Sequence, residues 1–377
     1  MEISDVETIA FTCESAKARD EKGHAHPGPP VERVKRITRV SVDGGPDGYC
    51  LGGHEPTNDL ASETLAGEDP RERERIRRRL RRMGRLRRAT LSETTVSRVD
   101  CALWDAAGKH YGEPVYRLLG GHRQRVPAYA STMVGDDDPG GLGTPEAYAD
   151  FAETLVDRGY PAVKLHTWMP PYDADPERVV AACRAVRERV GPEVELMLDS
   201  HHFYARTEAK RIGDALADLD FAWFEEPMDE HSTGSYEWLT RNVDVPVVGP
   251  ETAEGGAQTR AEWLRRDAAD IGRVGVHDVG GITPALKAIR AYEAFGVECE
   301  LHGGNLPNLH LLAAMAESGR YYERGLLHPD YDYGGDRPFL ETPLDPLDDD
   351  GRVRVPQSPG LGYDFDWAFV AANRVES

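Results

Sequence analysis

From about residue 127 the chain settles into a rhythm. Short apolar runs alternate with stretches of helical periodicity, at spacings of roughly 25 to 35 residues. VPAYAS opens the series, followed by PAVKLHT, VELMLD, FAWFEE, VPVVGPE, DIGRVGV, VECELHG and RYYERGL, which makes eight. The segment between two runs, such as DPERVVAACRAVRERVG, has room for one crossover helix. Strands joined in this way lie parallel, and eight of them close into a (β/α)8 TIM-type barrel, an α/β fold. A doubly wound sheet is the competing arrangement. It needs a glycine-rich phosphate loop after its first strand, and neither GxGxxG nor GxxxxGK[ST] occurs.

The N-terminal part has a different character. Residues 3–14 and 37–51 alternate as strands do, and ARDEKGHAHPGPP between them reads as a long loop. Helices are expected over roughly 69–88 and 91–109, with Ser92 or Thr94 capping the second. After residue 327 the chain is too turn-rich for another barrel unit, although DGRVRVPQSPGLG can hold a strand that packs back on the N-terminal part. Three parts are therefore expected: an α+β domain over 1–125, the barrel over 126–326, and a returning C-terminal segment over 327–377.

Barrels of this kind place their chemistry at the C-terminal ends of the strands. The polar residues there are Lys164 and His166, Asp199 and His201, Glu225 and Glu226, Glu251, His277 and Asp278, His302, and Glu323. Asp199, Glu225 and Glu251 are spaced 26 residues apart, one strand–helix unit each. Taken singly, each is an ordinary surface carboxylate. Together on successive strand ends they repel one another unless a cation such as Mg2+ neutralises them. Glu226 follows Glu225 directly and points the other way, toward a lysine or polar partner. Lys164 and His166 flank Leu165, so they share a face. Lys164 suits an anion or a carboxylate pair, and His166 suits acid–base work or a satisfied rim position. His302 comes three strands after Glu225, on the opposite side of the mouth from Lys164.

Bulk properties narrow the field. A net charge of −21, from 66 acidic and 45 basic groups, disfavours nucleic acid as a partner. The basic run RERERIRRRLRRMGRLRR (71–88) reads as a solvated helix or a subunit contact. No run reaches 18 apolar residues, and the start after Met1 lacks the basic and apolar regions of a signal peptide, so neither membrane nor export is expected. The five scattered cysteines fit reduced thiols in the cytoplasm. Acidic tracts such as GDDDPG and DPLDDD fit a salt-adapted, halophilic one.

In this order the motifs resemble the enolase superfamily, and within it the mandelate racemase-like acid-sugar dehydratases. VDCALWDAAGKHYGEPVYRLLGG (99–121) resembles that family's join between capping domain and barrel. VKLH resembles its KxK motif, LMLD, WFEEP and VVGPE its three metal-ligand strands, and LHGG its seventh-strand histidine region. The resemblance implies one Mg2+ per subunit on Asp199, Glu225 and Glu251, and a lysine or histidine base working on an enediolate. It implies that Lys164 helps to hold the substrate carboxylate, that His166 is the base on that face and that His302 is the acid or base opposite. His201 stands where relatives have asparagine, and would touch substrate or orient the metal shell. Glu323 would hydrogen-bond the carboxylate end of the substrate.

The N-terminal part then becomes a capping domain. Its GHAHPGPP and CLGGHEPTN loops would close the mouth, and His24, His26 and His54 would contact substrate hydroxyls. The expected activity is dehydration of an aldonate or aldarate to a 2-keto-3-deoxy acid. The alternatives are a racemase, epimerase or cycloisomerase sharing the same α-proton step, and a non-catalytic barrel protein. A small sugar acid is the expected partner, with a homo-oligomer, dimer or octamer, as the assembly. Two departures from the pattern stand out. The motif is KxH, and Gly275 occupies the place where relatives carry the aspartate that orients the seventh-strand histidine. Asp278, three residues later, is the candidate to compensate for it, although its position reads as a loop.

Overall fold

The computed structural model describes residues 1–86, 91–138 and 140–376. The chain opens with a three-stranded antiparallel sheet: β1 (Glu2–Arg19), β2 (Ala25–Asp43) and β3 (Gly48–Leu51). Ile9, Phe11 and Cys13 of β1 alternate inward, as the period of a strand requires. Helices α1 (Glu55–Leu65), α2 (Arg73–Leu86) and α3 (Glu93–Tyr111) and the single turn α4 (Val115–Leu118) complete this part. The Ser92 hydroxyl caps α3 by accepting the Thr95 N–H at 3.2 Å.

Two sequence expectations are corrected here. The long loop is a hairpin. β1 and β2 stay paired out to Arg19 and Ala25, so only residues 20–24 turn. Asp20 makes that turn tight, because its Oδ1 accepts the N–H groups of Lys22 (2.8 Å) and His24 (2.9 Å). The composition hid the hairpin, since Pro27 and Pro30 belong to a two-stranded arm where a missing N–H costs little. The expected helix over 69–88 starts at Arg73, and its residues 87 and 88 lie outside the described residues. Helix α1, which burial of Leu60, Ala61 and Leu65 stabilises, was not foreseen.

Eight parallel strands follow: β4 (Arg125–Thr132), β5 (Ala162–His166), β6 (Glu195–Asp199), β7 (Trp223–Glu225), β8 (Val247–Gly249), β9 (Ile271–Val274), β10 (Glu298–Leu301) and β11 (Tyr322–Leu327). Their order is β10-β9-β8-β7-β6-β5-β4-β11, with every neighbouring pair parallel. Between them run α5 (Pro145–Asp157), α6 (Pro176–Val190), α7 (Arg206–Asp218), α8 (Thr233–Thr240), α9 (Ala257–Arg265), α10 (Ile282–Phe295) and α11 (Leu306–Ala314). α6 is representative. Asp175 caps it, and Val179, Ala182, Cys183 and Val186 form the buried stripe at helical spacing. Inside the ring Tyr129, Met197, Trp223 and Val248 make an apolar floor.

Among the described residues no backbone ladder joins β10 to β11. Carboxylates close that seam instead. Glu300 accepts the N–H groups of Arg320 (2.6 Å) and Tyr321 (3.3 Å), and Glu323 Oε2 accepts that of Gly303 (2.8 Å). No helix among the described residues is long and apolar enough to cross a membrane.

The chain ends with β12 (Arg352–Arg354) and α12 (Trp367–Ala372). β12 corrects a further expectation: it pairs with the start of β4, through Val353 and Val126, and not with the N-terminal sheet. The residues that return to that sheet are Phe339, Phe365 and Val370, which pack on Phe11, and Asn373, whose carbonyl accepts the Thr12 N–H at 2.9 Å.

Buried His310 of α11 joins all three regions. Its Nδ1 accepts the Tyr116 N–H at 3.0 Å, so the proton sits on Nε2 and is donated to the Leu361 carbonyl at 3.1 Å. Burial pushes its pKa down to about 4, against ~6.5 in an unfolded chain. Its contribution to stability is therefore complete above pH 6.5 and is lost as pH falls toward 4. His310→Gln should lower the melting temperature at pH 7 by several degrees and flatten its decline between pH 6.5 and 4. Thermal scans across that range check both, and an unchanged acid slope refutes the assignment.

Candidate active site

Strand register builds the site. His166 of β5 pairs in register with Asp199 of β6, and Asp199 with Glu225 of β7, so three functional side chains share one level of the barrel. Glu251 joins them from the turn after β8. Buried Glu230 fixes that turn by accepting the N–H groups of Glu251 (2.5 Å), Thr252 (2.9 Å) and Ala253 (2.6 Å). Asp199, Glu225 and Glu251 are all buried, and each presents an oxygen within 4.8 Å of the others.

Such a set is untenable without cations. Lys164 Nζ lies 3.0 Å from Asp199, 3.1 Å from Glu225 and 3.0 Å from Glu323. Arg273 of β9, fully buried, lies 2.6 Å from Glu225, 3.4 Å from Glu251 and 3.0 Å from Glu323. Burial opposes the Lys164 charge, but Glu225, Glu323 and Asp199 together hold its pKa well above the usual lysine range. The same contacts keep Asp199 well below the usual carboxylate range against its own burial. Glu251 goes the other way, raised by burial and by the like charges of Glu226 and Glu225.

Four carboxylates thus face two permanent cations. The shortfall of two charges equals one divalent cation. The donors fit a hard ion, since all three are carboxylate oxygens. Glu225 Oε1 is buried and, despite the Arg273 guanidinium 2.6 Å away, has no hydrogen bond of acceptable geometry. Asp199, Glu225 and Glu251 could therefore hold the metal.

Imidazoles stand on both sides. His166 Nε2 lies 3.0 Å from Asp199, while its Nδ1 is buried and unpartnered. His302, just beyond β10, has Nε2 3.1 Å from Glu251 and Nδ1 2.7 Å from Asp278. The missing orienting aspartate is thus supplied from the turn after β9. Gly275 makes room for it, because a Cβ there would overlap Asp278 Oδ2. Asp278 lies in a turn, as its position suggests, and its side chain nonetheless compensates for the absent aspartate. Burial works against a charge on His302, but Asp278 and then Glu323 outweigh it and lift the pKa to about 8.

A cavity of about 320 Å3 opens over these groups, lined by Lys164, His166, Asp199, His201, Glu251, His302, Glu323 and, from the hairpin tip, His24. The His24 ring sits edge-on to His201 with centroids 5.3 Å apart. Asp20 holds both His24 and His26 at 3.1 Å, and His26 faces Tyr172 instead of the cavity. His54 is also outside the lining, with Nδ1 2.9 Å from the Thr57 hydroxyl. His277 turns toward α3, where Arg98 (2.5 Å) and Ser97 (2.9 Å) take its two nitrogens.

Glu226 finds histidines as partners, not a lysine: His202 at 3.0 Å and His201 at 3.6 Å. Burial opposes the charge on His202, but Glu226 lifts its pKa to about 9. Arg273 and His202 were not picked out from sequence. An arginine inside the apolar run IGRVGV, two residues from Ile271 on the inward face, was the available signal.

The chain matches two family models: Enolase C-terminal domain-like over residues 147–369, and Mandelate racemase / muconate lactonizing enzyme, N-terminal domain, over 43–120. It is 31% identical to a D-galactarolactone cycloisomerase of Agrobacterium fabrum, over 88% of this chain and 89% of that one. It is 32% identical to an arabinonate dehydratase of Saccharolobus solfataricus, over 71% of this chain and 69% of that one. Among solved structures it is similar to a D-glucarate dehydratase from Agrobacterium tumefaciens complexed with magnesium. Identity there is 48%, both chains are covered in full, and the TM-score is 0.96.

Two substitutions probe this geometry. Glu251→Gln should weaken divalent-cation binding at least about tenfold by calorimetry. It should also raise the melting temperature of the metal-free protein, since a destabilised charge is gone. Asp278→Asn leaves His302 with burial unopposed by its closest carboxylate, so the ring should titrate below pH 8. Nitrogen-15 NMR of the metal-free protein reads this directly, and an unmoved pKa rules out the Asp278 contact.

Proposed function

The chain belongs to the enolase superfamily, in its mandelate racemase/muconate lactonizing enzyme branch, and from that membership we propose a Mg2+-dependent dehydratase of a sugar acid, an aldonate or aldarate. The observation that carries the reading is the flanked triad: His166 against Asp199 on one side, His302 against Glu251 on the other. A bound Mg2+ supplies positive charge that stabilises the enediolate formed when a proton leaves the carbon beside a carboxylate.

The chain's own groups do the rest. Three carboxylates hold Lys164 as an ammonium, which suits it to pair with the substrate carboxylate and disqualifies it as the resting base. His166 is the base and takes the C2 proton, the C–H electron pair passing into the enediolate. His302, held protonated near neutral pH, gives its proton to the C3 hydroxyl as the C3–O bond breaks and water leaves. Asp278 orients that ring and Arg273 and Glu323 hold the charges beneath it. The enol left behind tautomerises to the 2-keto-3-deoxy acid. His201 and His24 lie where substrate hydroxyls pass.

The same proposal assigns 1–125 to a capping domain, 126–326 to the catalytic barrel and 327–377 to a returning segment. It places the enzyme in the cytoplasm as a homo-oligomer. A cycloisomerase is the second reading, favoured by the 31% identical D-galactarolactone cycloisomerase. It would rearrange its substrate without releasing water.

A panel of aldonic and aldaric acids with Mg2+, assayed for 2-keto acid, tests the dehydratase, and a panel without product refutes it. His302→Asn should lower kcat by about 100-fold or more. It should still exchange the C2 hydrogen with D2O, because the base survives. Loss of both together would make His302 the base instead.

A further inference from the structure

Basic groups line the cavity at several heights, and all but one are matched to a carboxylate. Lys164 has Asp199, Glu225 and Glu323, His166 has Asp199, His201 has Glu226, His24 has Asp20, and His302 has Asp278 and Glu251. The exception is Arg19, the last residue of β1, at the hairpin tip. Its Nη1 donates to the Gly23 carbonyl, and among the described residues no carboxylate pairs with it. In a chain of net charge −21 a guanidinium left unpaired over an acidic cavity is conspicuous.

We propose that Arg19 binds the distal carboxylate of the substrate, so that the enzyme acts on sugar diacids (aldarates) in preference to monoacids (aldonates). The inference rests on the dehydratase reading and narrows its substrate class. A diacid of sugar length carries one carboxylate to react at the triad and a second at the far end of its chain. An aldonate ends in a hydroxymethyl group, which offers a guanidinium no counter-charge. Arginine suits the task because its planar fork accepts a carboxylate with two parallel hydrogen bonds.

The turn that follows Arg19 is fixed at two points. Asp20 ties the turn through the Lys22 and His24 N–H groups, and the His24 ring rests on His201 of the barrel. Further cations lie behind Arg19 along the arm, with Asp336 among them. Lys17, two residues back on the same face of β1, has a pKa lowered to about 8, by burial first and then by Arg19 and Arg337. A second negative charge arriving at this end therefore meets the one cavity-lining cation that has no carboxylate partner among the described residues.

Matched aldaric and aldonic acids of equal chain length test this, with Mg2+-loaded wild type and Arg19→Gln. Wild type should favour the diacid by about 100-fold in kcat/KM. Arg19→Gln should raise KM for the diacid by about tenfold or more while kcat changes less than about threefold, because the contact is equal in ground and transition states. Kinetics on the aldonate should be unaffected, and Arg19→Lys should recover part of the diacid affinity. Wild type turning over aldonates equally well, or Arg19→Gln leaving the diacid KM unchanged, overturns the inference and leaves the dehydratase standing. If neither class yields a 2-keto acid, the dehydratase reading falls first and takes this one with it.

Discussion

Four carboxylates crowd the C-terminal end of the barrel around two buried cations, and the surrounding structure answers to that crowding. Asp199, Glu225, Glu251 and Glu323 share Lys164 and Arg273, and none of the six groups is tolerable alone at such burial. Their positions are set by backbone, not by attraction. Parallel register puts His166, Asp199 and Glu225 at one height, and Glu230 pins the turn that carries Glu251. The apolar floor of Tyr129, Met197, Trp223 and Val248 closes the barrel interior below them. The remaining negative charge is therefore stored as affinity for a divalent ion.

Acid and base duties separate on the same basis. Lys164 is surrounded by carboxylates and stays an ammonium, while among the described residues the His166 ring has Asp199 as its one carboxylate partner and keeps an unpartnered Nδ1. His302 leans on Asp278, a carboxylate from a turn, through space that Gly275 leaves vacant. The turn residue thus reaches the ring nitrogen because position 275 carries no side chain.

Much of this was legible in the sequence, for identifiable reasons. Eight apolar runs at one spacing specify parallel strands, and acids at their ends meet because such strands end on one rim. Asp199, Glu225, Glu251, Lys164, His166, His302 and Glu323 come together for that reason. What the pattern could not carry were contacts between side chains distant in sequence. Asp278 reaching His302, Arg273 bridging three glutamates, and His202 taking Glu226 all depend on directions that periodicity does not encode. The hairpin was misread because its prolines signal a loop, and pairing with the partner strand overrode them. His54 lies in the expected loop but faces Thr57.

The seam between β10 and β11 has a consequence of its own. A ladder of backbone hydrogen bonds is indifferent to side-chain identity, and seven of the eight junctions in the ring are closed by one. At the eighth, the closure is held by Glu300 and Glu323. The ring's tightness there therefore depends on side chains, these two glutamates and the Arg273 that links the Leu301 carbonyl to Glu323, whereas elsewhere it is a property of the main chain. Glu323 also faces the cavity, so a change that retunes the chemistry at this position also loosens the barrel. Divergence of the reaction and divergence of the scaffold are tied together at one glutamate.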